Sequence, residues 1–238
     1  MLPAKVAAVV WDIDDVLVGT SRARQTIQSN FLRELGLSPQ QLQPTLAAWN
    51  RLFWYFGSHE HTHILTCLRA EFSWGDKFTD AAIARYEATM TSNFLRVIRP
   101  VKDAAALLEL CRTSALPVGI ASNGVEELQW AKLANTGLAT YFSNVLACVI
   151  AQGAKGKPKP DTILAACKAL GVLPSDTIYV GDRAADVVAA KLAGCLSVRL
   201  NFEAPEAREP AVAALKLEVP RYVVDSLDEL VGILWASG

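Results

Sequence analysis

The stretch Val6-Ala7-Ala8-Val9-Val10-Trp11-Asp12-Ile13-Asp14-Asp15-Val16 decides how this 238-residue chain reads. Its first six residues are apolar without interruption and rich in valine, the pattern of a short strand covered on both faces, as in a parallel sheet. The run stops at a cluster of acids, Asp12, Asp14 and Asp15. Upstream, Met1 to Lys5 lead straight into the strand without the charged segment, apolar core and cleavage site of a secretory signal, so a cytoplasmic location is expected.

Downstream, the rhythm changes twice. From Ser21 the apolar residues Ile27, Phe31, Leu32 and Leu35 share one helical face, and Gly36 is placed to end that helix. Further helical stretches follow at Pro39 to Phe56, Thr62 to Phe72 and Thr79 to Leu95, with no strand among them. After Pro100 helix and strand alternate. Helices are predicted at Asp103–Ser114, Val125–Thr136, Asp161–Leu170, Ala184–Ala193 and Leu227–Trp235, and strands at Pro117–Ala121, Asn144–Ile150, Thr177–Val180, Cys195–Leu200 and Tyr222–Asp225. Strands separated by helices imply right-handed crossovers and an α/β fold: a Rossmann-like open parallel sheet with helices on both faces. Ligands of such sheets sit beyond the carboxyl ends of the strands.

Those strand ends carry the polar residues. Asp12-Ile13-Asp14-Asp15 follows the first strand, Ser122-Asn123-Gly124 the second and Gly181-Asp182-Arg183 the Thr177 strand. The loop Gly153 to Asp161, with Lys155, Lys157 and Lys159, follows the Val145 strand. Asp12 and Asp14, two apart where the backbone leaves the sheet, can face one crevice. Close carboxylates repel and their proton affinities separate, which suits one ionised nucleophile or metal ligand beside one protonated acid. Asp182 and Asp186 form a second acidic pair, and carboxylates with few histidines nearby favour a hard cation such as Mg²⁺ over zinc. A cation, a lysine and a hydroxyl around an aspartate make a receptacle for a phosphoryl group, whose charge must be offset before an anionic nucleophile approaches.

Asp12-Ile13-Asp14-Asp15-Val16 resembles the first motif of the haloacid dehalogenase superfamily, and Ile120-Ala121-Ser122-Asn123-Gly124 its second. Gly156-Lys157-Pro158-Lys159-Pro160-Asp161 is similar to the third motif of the phosphatase-like members, and Val180-Gly181-Asp182-Arg183-Ala184-Ala185-Asp186 to the fourth. The likeness runs from Val6 to about Leu200, with the four motifs in the family's order. It implies that Asp12 attacks phosphorus and becomes an aspartyl-phosphate, and that Asp14 acts as general acid and then base. It implies further that Ser122, Asn123 and Lys157 bind phosphate, and that Mg²⁺ is held by Asp12, Asp182 and the backbone carbonyl of Asp14. Asp186 would serve as a further ligand, or as a partner of metal and lysine. Residues 18–98 stand where the family inserts a helical cap, so the expected organisation is a core of residues 1–17 and 99–238 with a cap of 18–98, hinged near Gly19 and Arg99-Pro100. Two departures stand out: Asp15 replaces the family's usual glycine, and Gly19 its usual acid. The activity implied is hydrolysis of a small phosphorylated metabolite. A phosphomutase and a non-catalytic descendant that binds a phosphorylated ligand or partner are the alternatives; a dehalogenase is disfavoured because Asp14, Asp182 and Asp186 are all kept.

Composition bounds the remainder. With 52% hydrophobic and 20% charged residues, and 23 basic against 24 acidic side chains, the chain is neither disordered nor basic enough to bind nucleic acid by neutralising phosphates. No apolar run approaches the ~20 residues of a membrane span. Cys67, Cys111, Cys148, Cys167 and Cys195 are scattered and read as reduced thiols. His59, His61 and His63 do not share one helical face as a set, which favours a structural role over a zinc site. The aromatic stretch Trp49 to Phe56 reads as cap core or a dimer contact before a substrate pocket. Arg22, Arg24 and Arg51 read as surface charges, and a monomer or homodimer is expected.

Overall fold

The computed structural model describes residues 6–56, 60–142, 146–148, 156–201 and 219–235. The valine-rich run forms strand β1, Ala8–Trp11, with every residue fully buried. Helices α1, Thr20–Glu34, α2, Pro39–Phe56, α3, His61–Glu71, and α4, Asp80–Val97, come next. Then the alternation expected of the second half begins: α5, Ala104–Thr113; β2, Val118–Ser122; α6, Glu126–Asn135; β3, Leu146–Cys148; α7, Asp161–Leu170; β4, Thr177–Gly181; α8, Ala184–Ala193; β5, Leu196–Leu200; β6, Tyr222–Val224; and α9, Glu229–Trp235.

The six strands among the described residues form one sheet in the order β3-β2-β1-β4-β5-β6, with every neighbouring pair parallel. The chain steps outward from β1 to β3 on one side, then returns to add β4, β5 and β6 on the other. The reversal falls between β1 and β4, the place where an open α/β sheet leaves a crevice at its carboxyl edge. Trp11 lies level with Ile120 on β2 and Val180 on β4, so Asp12 emerges beside both neighbouring strand ends. On one face, Ile163, Ala166 and Cys167 of α7 and Ala189, Ala190 and Ala193 of α8 pack with Val10, Ala121 and Tyr179 of the sheet. The alanines let α8 lie close to the strands. Gly171 and Gly194, at φ +68° and +84°, end α7 and α8 in the left-handed conformation that a Cβ penalises.

The chain divides into two compact units, residues 1–20 with 99–238, and residues 21–98. Val18 and Gly19 belong to the sheet unit: Val18 bridges to Asp14 and to Pro100, and the Gly19 N–H donates to the Arg99 carbonyl at 2.9 Å. The boundary therefore falls three residues later than position 17. The helical unit has its own core, in which Phe31, Trp49 and Tyr86 pack at ring separations of 4.7–6.1 Å, beside Ile64, Leu65 and Leu68. No described helix is long and apolar enough to cross a membrane.

Candidate active site

Beyond Trp11 the chain makes a tight reversal. Asp12 extends the ladder, its N–H donating to Val180 O at 2.9 Å, and the N–H groups of Leu17 and Val18 both turn back onto Ile13 O. Asp15 sits at φ +58°, and its Oδ1 accepts the N–H of Thr20 at 2.9 Å, at the start of α1. The position that the resemblance assigns to glycine is thus left-handed, and aspartate is one of the few other residues that takes that conformation readily.

Asp12 is buried and meets the Lys157 ammonium at 2.9 Å. The same ammonium reaches Asp186 Oδ1 at 2.6 Å and donates to the Tyr179 hydroxyl at 2.9 Å. Tyr179 lies within hydrogen-bond distance of Ala121 O and Asp186 Oδ1, at 3.1 Å each. Lys157 is placed by its backbone as much as by its charge, because the Asn123 amide donates to Lys157 O at 3.0 Å and accepts from Lys157 N at 2.7 Å. The side chain of Asn123, expected to contact phosphate, thus holds the Lys157 backbone from both sides. A Cβ on Gly156 would press on that amide, 3.0 Å from its Oδ1. Lys159 is exposed, and Lys155 lies outside the described residues.

Asp182 follows β4, and its Oδ1 is buried with no hydrogen-bond partner among the described residues. One oxygen each from Asp12, Asp182 and Asp186 lie within 4.8 Å of one another. Three carboxylates against one ammonium leave an excess of two negative charges, which a divalent cation would neutralise. The orphaned oxygen and the all-oxygen donor set fit such an ion. Without one, proton affinities rise. Burial raises the Asp12 carboxyl, Lys157 pulls it back and Asp186 and Asp14 push it up again, leaving it at about 6. Burial, then Asp186, Asp12 and Asp15, hold Asp182 well above the usual range. Burial works against the Lys157 charge, but Asp12 and Asp186 outweigh it and keep the ammonium protonated.

Asp14 faces different company. Its side chain is 40% exposed, yet Lys132 Nζ meets its Oδ1 at 2.6 Å and Gln129 Nε2 lies 3.4 Å from its Oδ2. Desolvation would raise this carboxyl; the Lys132 charge and the bonds from Lys132 and Gln129 win, and hold it below the ordinary range. Gln129 also donates to Ser122 Oγ at 2.6 Å. Sequence reading missed Gln129, Lys132 and Tyr179. A phenol inside the buried strand Thr177–Gly181 is a signal, since its hydroxyl needs a partner. Gln129 and Lys132 carry none, because polar residues on a helix ordinarily face water.

Of the other candidates, His61 is buried and packs edge-on to Tyr86, while His63 is exposed against Phe56, and His59 lies outside the described residues. Trp49 belongs to the helical unit's core and Tyr55 is exposed. Arg24 stacks over Phe53 at 4.1 Å, and Arg51 pairs with Glu71 at 2.6 Å.

A family model described as haloacid dehalogenase-like hydrolase matches residues 6–194. The glyceraldehyde 3-phosphate phosphatase of Methanopyrus kandleri is 27% identical over 94% of this chain and 98% of its own length. The phosphoglycolate phosphatase of Neisseria meningitidis is 36% identical over 44% of this chain and 43% of its own length. The crystal structure of a HAD family hydrolase from Deinococcus radiodurans R1, with bound phosphate and sodium, has a TM-score of 0.76 at 25% identity and covers 99% of this chain and 98% of that one. With a family model matching most of the chain, and a strand edge built from the residues its four motifs supply, this chain belongs to the haloacid dehalogenase-like hydrolases.

Proposed function

We propose that the chain is a Mg²⁺-dependent phosphatase that hydrolyses a small phosphomonoester through an aspartyl-phosphate on Asp12. The observation that carries this reading is a buried carboxylate beside a buried ammonium, with two further carboxylates converging on the same point. The full-length relative named glyceraldehyde 3-phosphate phosphatase, and the shorter match named phosphoglycolate phosphatase, support a short-chain phosphate ester as substrate.

Asp12, Asp182 and Asp186 are the side chains that would hold the ion, with the Asp14 carbonyl as the further ligand the family pattern implies. When bound, Mg²⁺ supplies positive charge that offsets the phosphoryl oxygens and favours the ionised form of its carboxylates. Lys157 and Ser122 hold phosphoryl oxygens, and Asn123 fixes Lys157 for that task. An Asp12 carboxylate oxygen attacks phosphorus as the ester P–O bond opposite breaks, and Asp14 delivers its proton to the leaving oxygen. Water then gives a proton to Asp14 as it attacks the phosphoryl group, orthophosphate leaves and the Asp12 carboxylate is restored. In the free site the Lys132 pair favours ionised Asp14. An arriving phosphate dianion works against that bias, since a nearby like charge raises a carboxyl's proton affinity.

Hydrolysis of p-nitrophenyl phosphate and of a panel led by triose phosphate and phosphoglycolate, with and without Mg²⁺, tests the reading. Metal-dependent turnover is expected, and Asp12→Asn should abolish it while leaving the circular dichroism spectrum intact. Absence of turnover across the panel, or full activity in that variant, refutes the proposal.

A further inference from the structure

Helix α6 begins four residues after Ser122 and returns two side chains to the strand ends. Gln129 and Lys132 stand three apart, on one helical face, and both are buried. Between them they reach both oxygens of Asp14, Lys132 Nζ at 2.6 Å from Oδ1 and Gln129 Nε2 at 3.4 Å from Oδ2. The same Gln129 nitrogen donates to Ser122 Oγ at 2.6 Å. Room is kept for this amide: a Cβ on Gly124 would collide with Gln129 Nε2, Cδ and Cγ. An ammonium removed from water is costly unless paired, and Asp14 is the carboxylate that Lys132 meets although the two are 118 positions apart.

We propose that Gln129 and Lys132 are positioning residues that hold the Asp14 carboxylate at a fixed angle and tie it to Ser122, so that one helix sets the proton-transferring group relative to the phosphate-holding hydroxyl. The inference rests on the reading of Asp14 as general acid and base given above. Lys132 does not touch the reacting atoms; it acts through Asp14. A carboxylate free to swing would still transfer protons, but from fewer productive orientations.

Leaving-group dependence tests this. An alkyl phosphate needs its departing oxygen protonated, whereas 2,4-dinitrophenyl phosphate releases a stable anion without help. With Mg²⁺ present, Lys132→Met should slow the pre-steady-state release of alcohol from an alkyl phosphate by ~10–100-fold, a part of the roughly 10²–10⁴-fold that positioned proton transfer contributes, while the burst of dinitrophenolate changes little; the later water step, which also uses Asp14, is common to both esters. Lys132→Arg, which keeps the donor and charge, should recover part of the loss. Lys132→Gln, a milder change, provides the same comparison if the methionine variant does not fold. Asp14→Asn should show the same selectivity with a larger loss. An equal loss of the first-step rate on both substrates, or none, in the Lys132 variants overturns the positioning role even when Asp14→Asn behaves as expected. An Asp14→Asn variant whose first-step rate does not discriminate between the substrates overturns the assignment of Asp14 instead.

Discussion

Asp15 shows how one backbone angle constrains chemistry beside a reacting group. At φ +58° a side chain costs about 1–2 kcal/mol relative to glycine, and the carboxylate offsets part of that by accepting the Thr20 N–H at the start of α1. Replacing Asp15 by glycine removes the strain and the cap together, so stability should change by less than ~1 kcal/mol. Asp15→Ala keeps the strain and loses the cap, and should lower stability by ~1–2 kcal/mol, read from urea unfolding midpoints of the two variants. The spelling Asp-Ile-Asp-Asp announced that acids gather here. It did not disclose that Asp15 turns to cap a helix while Asp12 faces Lys157, because those directions follow from the reversal of residues 13–18 onto Ile13 O.

The turn from β4 into α8 does two jobs with one carboxylate. Asp186 Oδ2 accepts the Arg183 N–H at 3.0 Å, closing the first turn of α8, while Oδ1 faces Lys157. Gly181 is required because a Cβ there would collide with Asp186 Cβ and Cγ. Gly181→Ala should therefore destabilise the protein by ~1–3 kcal/mol, as overpacking does. It should also lower activity more than that loss of stability explains, since Asp186 must move away from Lys157; thermal unfolding and kcat measured together test the pairing. The strands and helices themselves were legible from periodicity: continuous apolar runs gave buried strands, and glycines at 36 and 194 fall where helices stop. The pairing of Asn123 with the Lys157 backbone was not legible, because it depends on two loops from different strands meeting at one edge.

Across the molecule, a near-neutral composition conceals a concentrated negative site. Asp12 rises from 3.8 to about 6 in the metal-free protein, so the folded state binds this proton more tightly than the unfolded chain does. Its contribution to stability is fully present below about pH 4 and is lost as pH rises through about 6. Asp182 shifts in the same direction. Lys157, raised as well, contributes throughout this window. With chelator present, unfolding free energy should fall by on the order of 2–3 kcal/mol through this site between pH 4.5 and 7, a decline that Asp12→Asn should reduce and that Asp12→Asn combined with Asp182→Asn should largely remove. Mg²⁺ should raise the unfolding temperature more at pH 7 than at pH 5, because its ligands must be ionised, and Asp182→Asn should reduce that increment. Equal increments at the two pH values would argue against these carboxylates as the cation's ligands.

Strand ends, their polar termini and the helical insertion were written locally, in runs of apolar residues and in short motifs, and so could be read along the chain. From them came the α/β class, the order of the motifs and the residue types available for phosphoryl chemistry. Which groups meet is a different matter. Lys132 reaches Asp14 across 118 positions, and Tyr179 joins Lys157 to Asp186 from within a buried strand. These contacts depend on which face of α6 and which side of β4 turn toward the crevice once the sheet has closed in the order β3-β2-β1-β4-β5-β6. Periodicity specifies that a face is buried; packing selects what it is buried against.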